Sequence, residues 1–215
     1  MKKLTCVALF FGILFFASAQ DNNLELISEK ARINIEKQIV SASQAMNTLQ
    51  CHFTQEKSST LFADKAVSKG ILSYRKPESL RWEYTDEPNK FALVLNEHGA
   101  HILNDAGIVD NYNKIFKPLA ELIVGTINGK GLLDSKTFKV EYYQIDSKQN
   151  IILVKMIPVQ KRLKEVYTSV EIIIDKTDYL ALEIIMNEAS GDVTTISLSD
   201  KKINIELPQT LFSVN

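Results

Sequence analysis

Apolar residues fall into two periodicities along this chain, and the change between them divides it. From Asn22 to Gln50 there is no glycine or proline, and Leu24, Ile27, Ala31, Ile35, Ile39, Ala42, Met46 and Leu49 recur at steps of three and four. That spacing predicts one long amphipathic helix, and Asn22 followed by Glu25 resembles a capping box at its start. After Cys51 the pattern becomes short runs rich in Val, Ile, Tyr, Phe and Thr. These predict strands near 51–57, 67–76, 79–86, 90–96, 100–104, 108–113, 136–145, 151–157, 165–174, 179–188 and 193–199. Turn residues separate them, among them Lys76-Pro77-Glu78, Glu97-His98-Gly99 and Ser190-Gly191-Asp192. Close, regular spacing of this kind predicts an antiparallel meander. It is interrupted once, where Pro118 to Gly125 places Leu119, Leu122 and Ile123 on one face of a short helix that starts at proline and stops at glycine. Gly129-Lys130-Gly131 follows as a loop.

The expected fold is α+β and mainly β: one domain over 21–215, with a long antiparallel sheet whose concave side buries the apolar stripes of both helices. Residues 1–20 are set apart from it. Lys2 and Lys3, an apolar run from Leu4 to Phe16 and the small residues Ala17, Ser18 and Ala19 make a secretory signal peptide, cleaved after Ala19 or Gln20. The run is shorter than the roughly 20 apolar residues a membrane-spanning helix needs. Cys6 lies too early to become a lipid-modified first residue. Removing the signal leaves Cys51 as the remaining cysteine, so no disulfide forms within the mature chain.

Charge and motifs exclude more than they suggest. The net charge is −1, from 25 basic and 26 acidic residues, and loss of Lys2 and Lys3 makes it −3. Nucleic-acid binding announces itself with the opposite sign. His98 and His101 in EHGAH, with Glu97 or Asp105, could offer metal ligands, but His98 sits in a predicted turn and no cysteine is near. Cys51 and His52 are neighbours in a strand and so point to opposite faces, which breaks up a thiol–imidazole dyad. GxSxG, HExxH, Walker and GxGxxG motifs are absent. The expectation is a binding protein, not an enzyme, with no cofactor and no metal.

The densest signal is GILSYRKPESLRWEYTDEP at 70–88, where Leu80, Trp82 and Tyr84 share one strand face and Arg81 and Glu83 the other. Phe53-Thr54-Gln55, Gly70, the run Tyr74 to Tyr84 and Pro88 together resemble the periplasmic outer-membrane lipoprotein carrier family, the LolA-like proteins. The order of elements agrees, as does Phe212 near the end. The resemblance implies an incomplete, strongly curved β half-barrel with helices covering its concave face and an apolar cavity for lipoprotein acyl chains. It would put Phe53, Leu80, Trp82 and Tyr84 in that cavity and Leu119, Leu122 and Ile123 in a helical lid. Some members have an arginine before the motif's proline that latches the lid. This chain has Lys76 there and Arg75 one place earlier, and a lysine lacks the planar fork of donors. The implied partners are an inner-membrane ABC-type lipoprotein-releasing complex and an outer-membrane acceptor, with the carrier a periplasmic monomer. The alternative is a lipid-binding or lipoprotein-sensing regulatory module on the same fold.

Overall fold

The computed structural model describes residues 24–61, 64–86, 90–104, 107–108, 123–127, 129, 136–145 and 148–214. Twelve strands among them form one antiparallel sheet: β1 (Leu24–Leu26), β2 (Thr48–Ser58), β3 (Ala66–Arg75), β4 (Ser79–Tyr84), β5 (Phe91–Asn96), β6 (Gly99–Asn104), β7 (Gly107–Ile108), β8 (Phe138–Ile145), β9 (Lys148–Pro158), β10 (Tyr167–Asp175), β11 (Ala181–Glu188) and β12 (Val193–Ile203). Their order is β1-β8-β9-β10-β11-β12-β2-β3-β4-β5-β6-β7. Two meanders, β2–β7 and β8–β12, are thus joined where β12 pairs with β2, and the sheet ends at β1 and β7 without closing.

The expected helix over 22–50 is shorter at both ends. Helix α1 spans Glu29–Ala45, while Leu24, Glu25 and Leu26 pair with Ile145, Gln144 and Tyr143 of β8 as an additional strand. Leu24 and Leu26 also fit a period of two, so the local pattern is ambiguous, and hydrogen bonding to a distant strand decides it. Asn22 lies outside the described residues, and the N-cap position is Ser28. At the other end Met46 is already extended and Thr48 opens β2.

Because β1 and β2 are separated by five strands, α1 has to cross one face of β8–β12. Its 17 residues reach about 25 Å. Ile35, Ile39 and Ser43, one turn apart, are its buried positions. Ile35 and Ile39 join a single apolar cluster that runs from Tyr142, Ile172 and Ile196 through Phe53 to Trp82 and Leu93, spanning both meanders.

Of the mid-chain helix expected over 118–125, residues 118–122 lie outside the described residues, and α2 is the helical stretch 123–127. It therefore continues through Gly125. The residue in the left-handed region is Gly129, at φ 70°, whose N–H donates to the Thr126 carbonyl at 3.3 Å; glycine tolerates that conformation without a Cβ clash. A third, one-turn helix, α3 (Lys161–Lys164), lies between β9 and β10, and a 3-10 turn (Gln209–Phe212) near the C-terminus packs on the ends of β4 and β5. Among the described residues no helix is long and apolar enough to cross a membrane.

Candidate functional site

Residues of the sequence motif meet in one row that crosses five strands. Register sets Leu198 of β12 opposite Phe53, Phe53 opposite Gly70, Gly70 opposite Tyr84, and Tyr84 opposite Phe91. Gly70 leaves room for the Phe53 ring: a Cβ there would lie 2.4 Å from Phe53 Cζ and 1.9 Å from the Glu83 carbonyl oxygen. Phe53 stacks on Trp82 at 4.1 Å between centroids and meets Tyr84 edge-on at 5.3 Å, while Tyr84 stacks on Phe91 at 4.5 Å. Such pairs add about 1 kcal/mol each beyond their buried area. Phe53, Leu80, Trp82 and Tyr84 are all buried. On the opposite face of β4, Arg81 donates to Glu83 at 2.7 Å. The Tyr84 hydroxyl donates to Gln55 Oε1 at 2.9 Å, and burial pushes this phenol above its ordinary pKa.

Further along the same apolar cluster, α1, α2 and the ends of β10–β12 enclose a narrow cleft. Its apolar walls include Ile39, Met46, Ile172, Leu180 and Leu198, with Ser43, Thr126 and Lys201 as polar members. The free interior is about 20 Å³, room for roughly one water. A longer guest can enter only if α1 or α2 moves off the sheet. At one end Lys201 Nζ lies 2.8 Å from Asp178 Oδ2, tying β12 to the β10–β11 turn. Of the three residues expected in a lid, Ile123 is buried in the cluster, and Leu119 and Leu122 lie outside the described residues. The cleft residues on β10–β12 carried no distinguishing signal in the sequence. In EIIID at 171–175, three consecutive isoleucines hide which of them face inward.

Lys76 and Arg75, the two latch candidates, go different ways. Lys76 Nζ donates to the Gln44 carbonyl at 2.6 Å and its backbone N–H to the Asn47 carbonyl at 2.9 Å. Helix α1 has no basic residue in its own last turn, so Lys76 brings a cation to the negative end of the helix dipole. Asn204 fastens the same corner: its Nδ2 donates to the Ala45 carbonyl at 3.0 Å and its Oδ1 accepts the Asn47 N–H at 2.7 Å. Arg75 instead places its guanidinium 4.6 Å from the centre of the Phe212 ring, a cation–π contact. The Phe212 carbonyl in turn accepts from Asn96 Nδ2 at 2.9 Å, so Arg75 holds the C-terminal segment, not α1.

Cys51 and His52, neighbours in β2, do not form a dyad. Cys51 is buried while His52 points outward to Asp200 at 3.1 Å. Burial pushes the Cys51 thiol from its ordinary value of 9.0 up to about 12. The folded chain thus holds a proton that the unfolded chain releases near pH 9, and this contribution to stability falls as pH rises from about 9 towards 12. The thiol should not react with Ellman's reagent at pH 8 until urea unfolds the protein; prompt labelling of the native chain would contradict this burial. Among the described residues no group of three potential ligands could hold a metal ion.

The chain is similar to several solved structures. A LolA superfamily protein from Nitrosomonas europaea is 11% identical, covering 83% of this chain and 97% of its own, with a TM-score of 0.47. The lipoprotein LppX of Mycobacterium tuberculosis is 10% identical over 84% of this chain and 99% of its own, TM-score 0.49. LprF from Mycobacterium bovis is 12% identical over 86% and 99%, TM-score 0.42. No curated protein matches the chain. The family model of the outer membrane lipoprotein carrier protein LolA matches residues 44–215, all of the sheet from β2 onward together with α2, and the chain belongs to that family.

Proposed function

We propose that this protein is a periplasmic carrier that takes the acyl chains of lipoproteins into an apolar cavity and moves them from the inner to the outer membrane. The observation that carries the reading is the cleft, an apolar interior lying between an open sheet and helices that cross it. Open sheets of more than about ten strands curl, which supports a strongly curved half-barrel with α1 and the segment 118–127 on its concave face. Phe53, Leu80, Trp82 and Tyr84 then extend the cleft's apolar floor, and Leu119, Leu122 and Ile123 belong to the moving cover.

Burying an acyl chain of about 16 carbons is worth on the order of 12 kcal/mol, at about 0.8 kcal/mol per CH₂. A soluble carrier must match that with apolar surface and must still release its cargo. A cleft that is nearly closed when empty and opens by displacing a helix meets both demands. Lys76, holding the end of α1 through one exposed hydrogen bond, is the latch in this reading. Residues 1–20 are removed on export, 21–215 act as one domain and as a monomer, and an ABC-type releasing complex and an outer-membrane acceptor supply and receive the cargo. No chemical step is required.

Native mass spectrometry of the mature protein, isolated from its own cells without detergent, tests this directly. A fraction should carry the added mass of a lipid or lipoprotein, lost on treatment with a long-chain detergent. A bare mass in every preparation would reject the carrier and leave a sensing module on the same fold.

A further inference from the structure

At the end of the sheet away from Lys76 and Lys201, three chain reversals adjoin one another. These are residues 59–61 and 64–65 between β2 and β3, 189–192 between β11 and β12, and 159–166 between β9 and β10. Hydrogen bonds join them into one surface: the Ala189 N–H donates to the Val166 carbonyl at 2.9 Å, and Asp192 Oδ1 accepts from Ser59 Oγ at 3.0 Å and from the Thr60 N–H at 3.2 Å. The last reversal is longer than a hairpin needs, yet it is ordered by α3, and Leu163 anchors it to the core.

This surface combines two properties that are rare together on a protein with net charge −1. Lys161, Arg162 and Lys164 project within four residues, all exposed, and no described residue forms an ion pair with any of them; the single acid in 159–166 is Glu165. Val159 and Val166 flank them in sequence at 49% and 48% exposure, and Leu61, at 84%, stands on the β2–β3 reversal of the same end. Cations alone would read as a solvated tip. Cations flanked by protruding aliphatic groups match the boundary of a bilayer, where headgroup charge lies just above hydrocarbon.

We propose that these tips form a docking surface for the anionic face of a membrane, with Lys161, Arg162 and Lys164 meeting headgroup phosphates and Leu61, Val159 and Val166 dipping between them. The attachment is weak and reversible, resting on three cations and three aliphatic side chains. It does not depend on the cargo reading, because the surface lies apart from the cleft and the test uses empty protein.

The test is co-sedimentation of the mature, delipidated protein with vesicles of phosphatidylcholine alone or with 30% phosphatidylglycerol added. Binding should require phosphatidylglycerol and weaken steeply as salt rises. Each basic residue at such a surface contributes about fivefold to partitioning, so K161Q/R162Q/K164Q should reduce it by about 100-fold. Leu61→Asp should weaken it with the cations intact. K30Q/K37Q/K202Q, which removes three exposed charges elsewhere, should bind as the parent does. Equal binding to both vesicles, no binding to either, or equal losses in the two triple variants would each overturn the proposal.

Discussion

Gly70→Ala should remove roughly 3 kcal/mol or more of stability, at the upper end for overpacking a core, and lower the melting temperature by about 6–12 °C for a chain of this size. The cause is the aromatic row: the added Cβ would fall on the Glu83 carbonyl oxygen and the Phe53 ring together, and backbone cannot give way as a flexible side chain can. Gly99→Ala is the matched comparison. Gly99 sits at φ 117° with open space where a Cβ would go, so that variant meets backbone strain but no collision, a cost of about 1 kcal/mol. Thermal denaturation followed by circular dichroism separates them. Equal losses in both would locate the role of Gly70 in backbone freedom and not in the passage of Phe53 across it.

Ile39→Glu should lift α1 from the sheet without dissolving the sheet beneath. Ile39 is buried on α1 and faces the cleft, so the carboxylate would stand unpaired among apolar groups, a penalty of several kcal/mol. If α1 is a cover, the penalty is escaped by opening. Its amides should exchange with solvent tenfold faster or more, by a roughly estimated lower bound, while the β-sheet circular dichroism survives. Ile172→Glu puts the same charge into the same cleft from β10, a strand paired on both sides, and should unfold the domain. Should both variants lose the sheet alike, α1 is ordinary core and the cleft has no moving wall.

How legible all this was in the sequence depended on how local the deciding interaction is. The alternation of Leu80, Trp82 and Tyr84 against Arg81 and Glu83 was enough to define β4 and its faces. The ends of α1 were not legible, because what makes Leu24–Leu26 a strand is β8, more than a hundred residues away. Family resemblance identified the fold and drew attention to residues 53–88. Those residues turn out to form a packed aromatic row, whereas the cleft lies against β10–β12, whose Val- and Ile-rich segments look alike from end to end. Lys76 was singled out for its place before Pro77, yet its actual partner, the Gln44 carbonyl at the end of α1, is a backbone atom and leaves no trace in side-chain pattern.

The seam between β12 and β2 bears on the order in which the molecule can assemble. Ser58 pairs with Val193 and Leu24 with Ile145, contacts of a kind that close large loops and form slowly. The meander β2–β7 is built from near neighbours and can form as soon as it emerges. Helix α1, made before it, has nowhere to rest until β8–β12 has followed. For that interval the apolar stripe of Ile35 and Ile39 stays open to solvent, so a helix made early is among the last elements to be buried, and aggregation during folding should begin there.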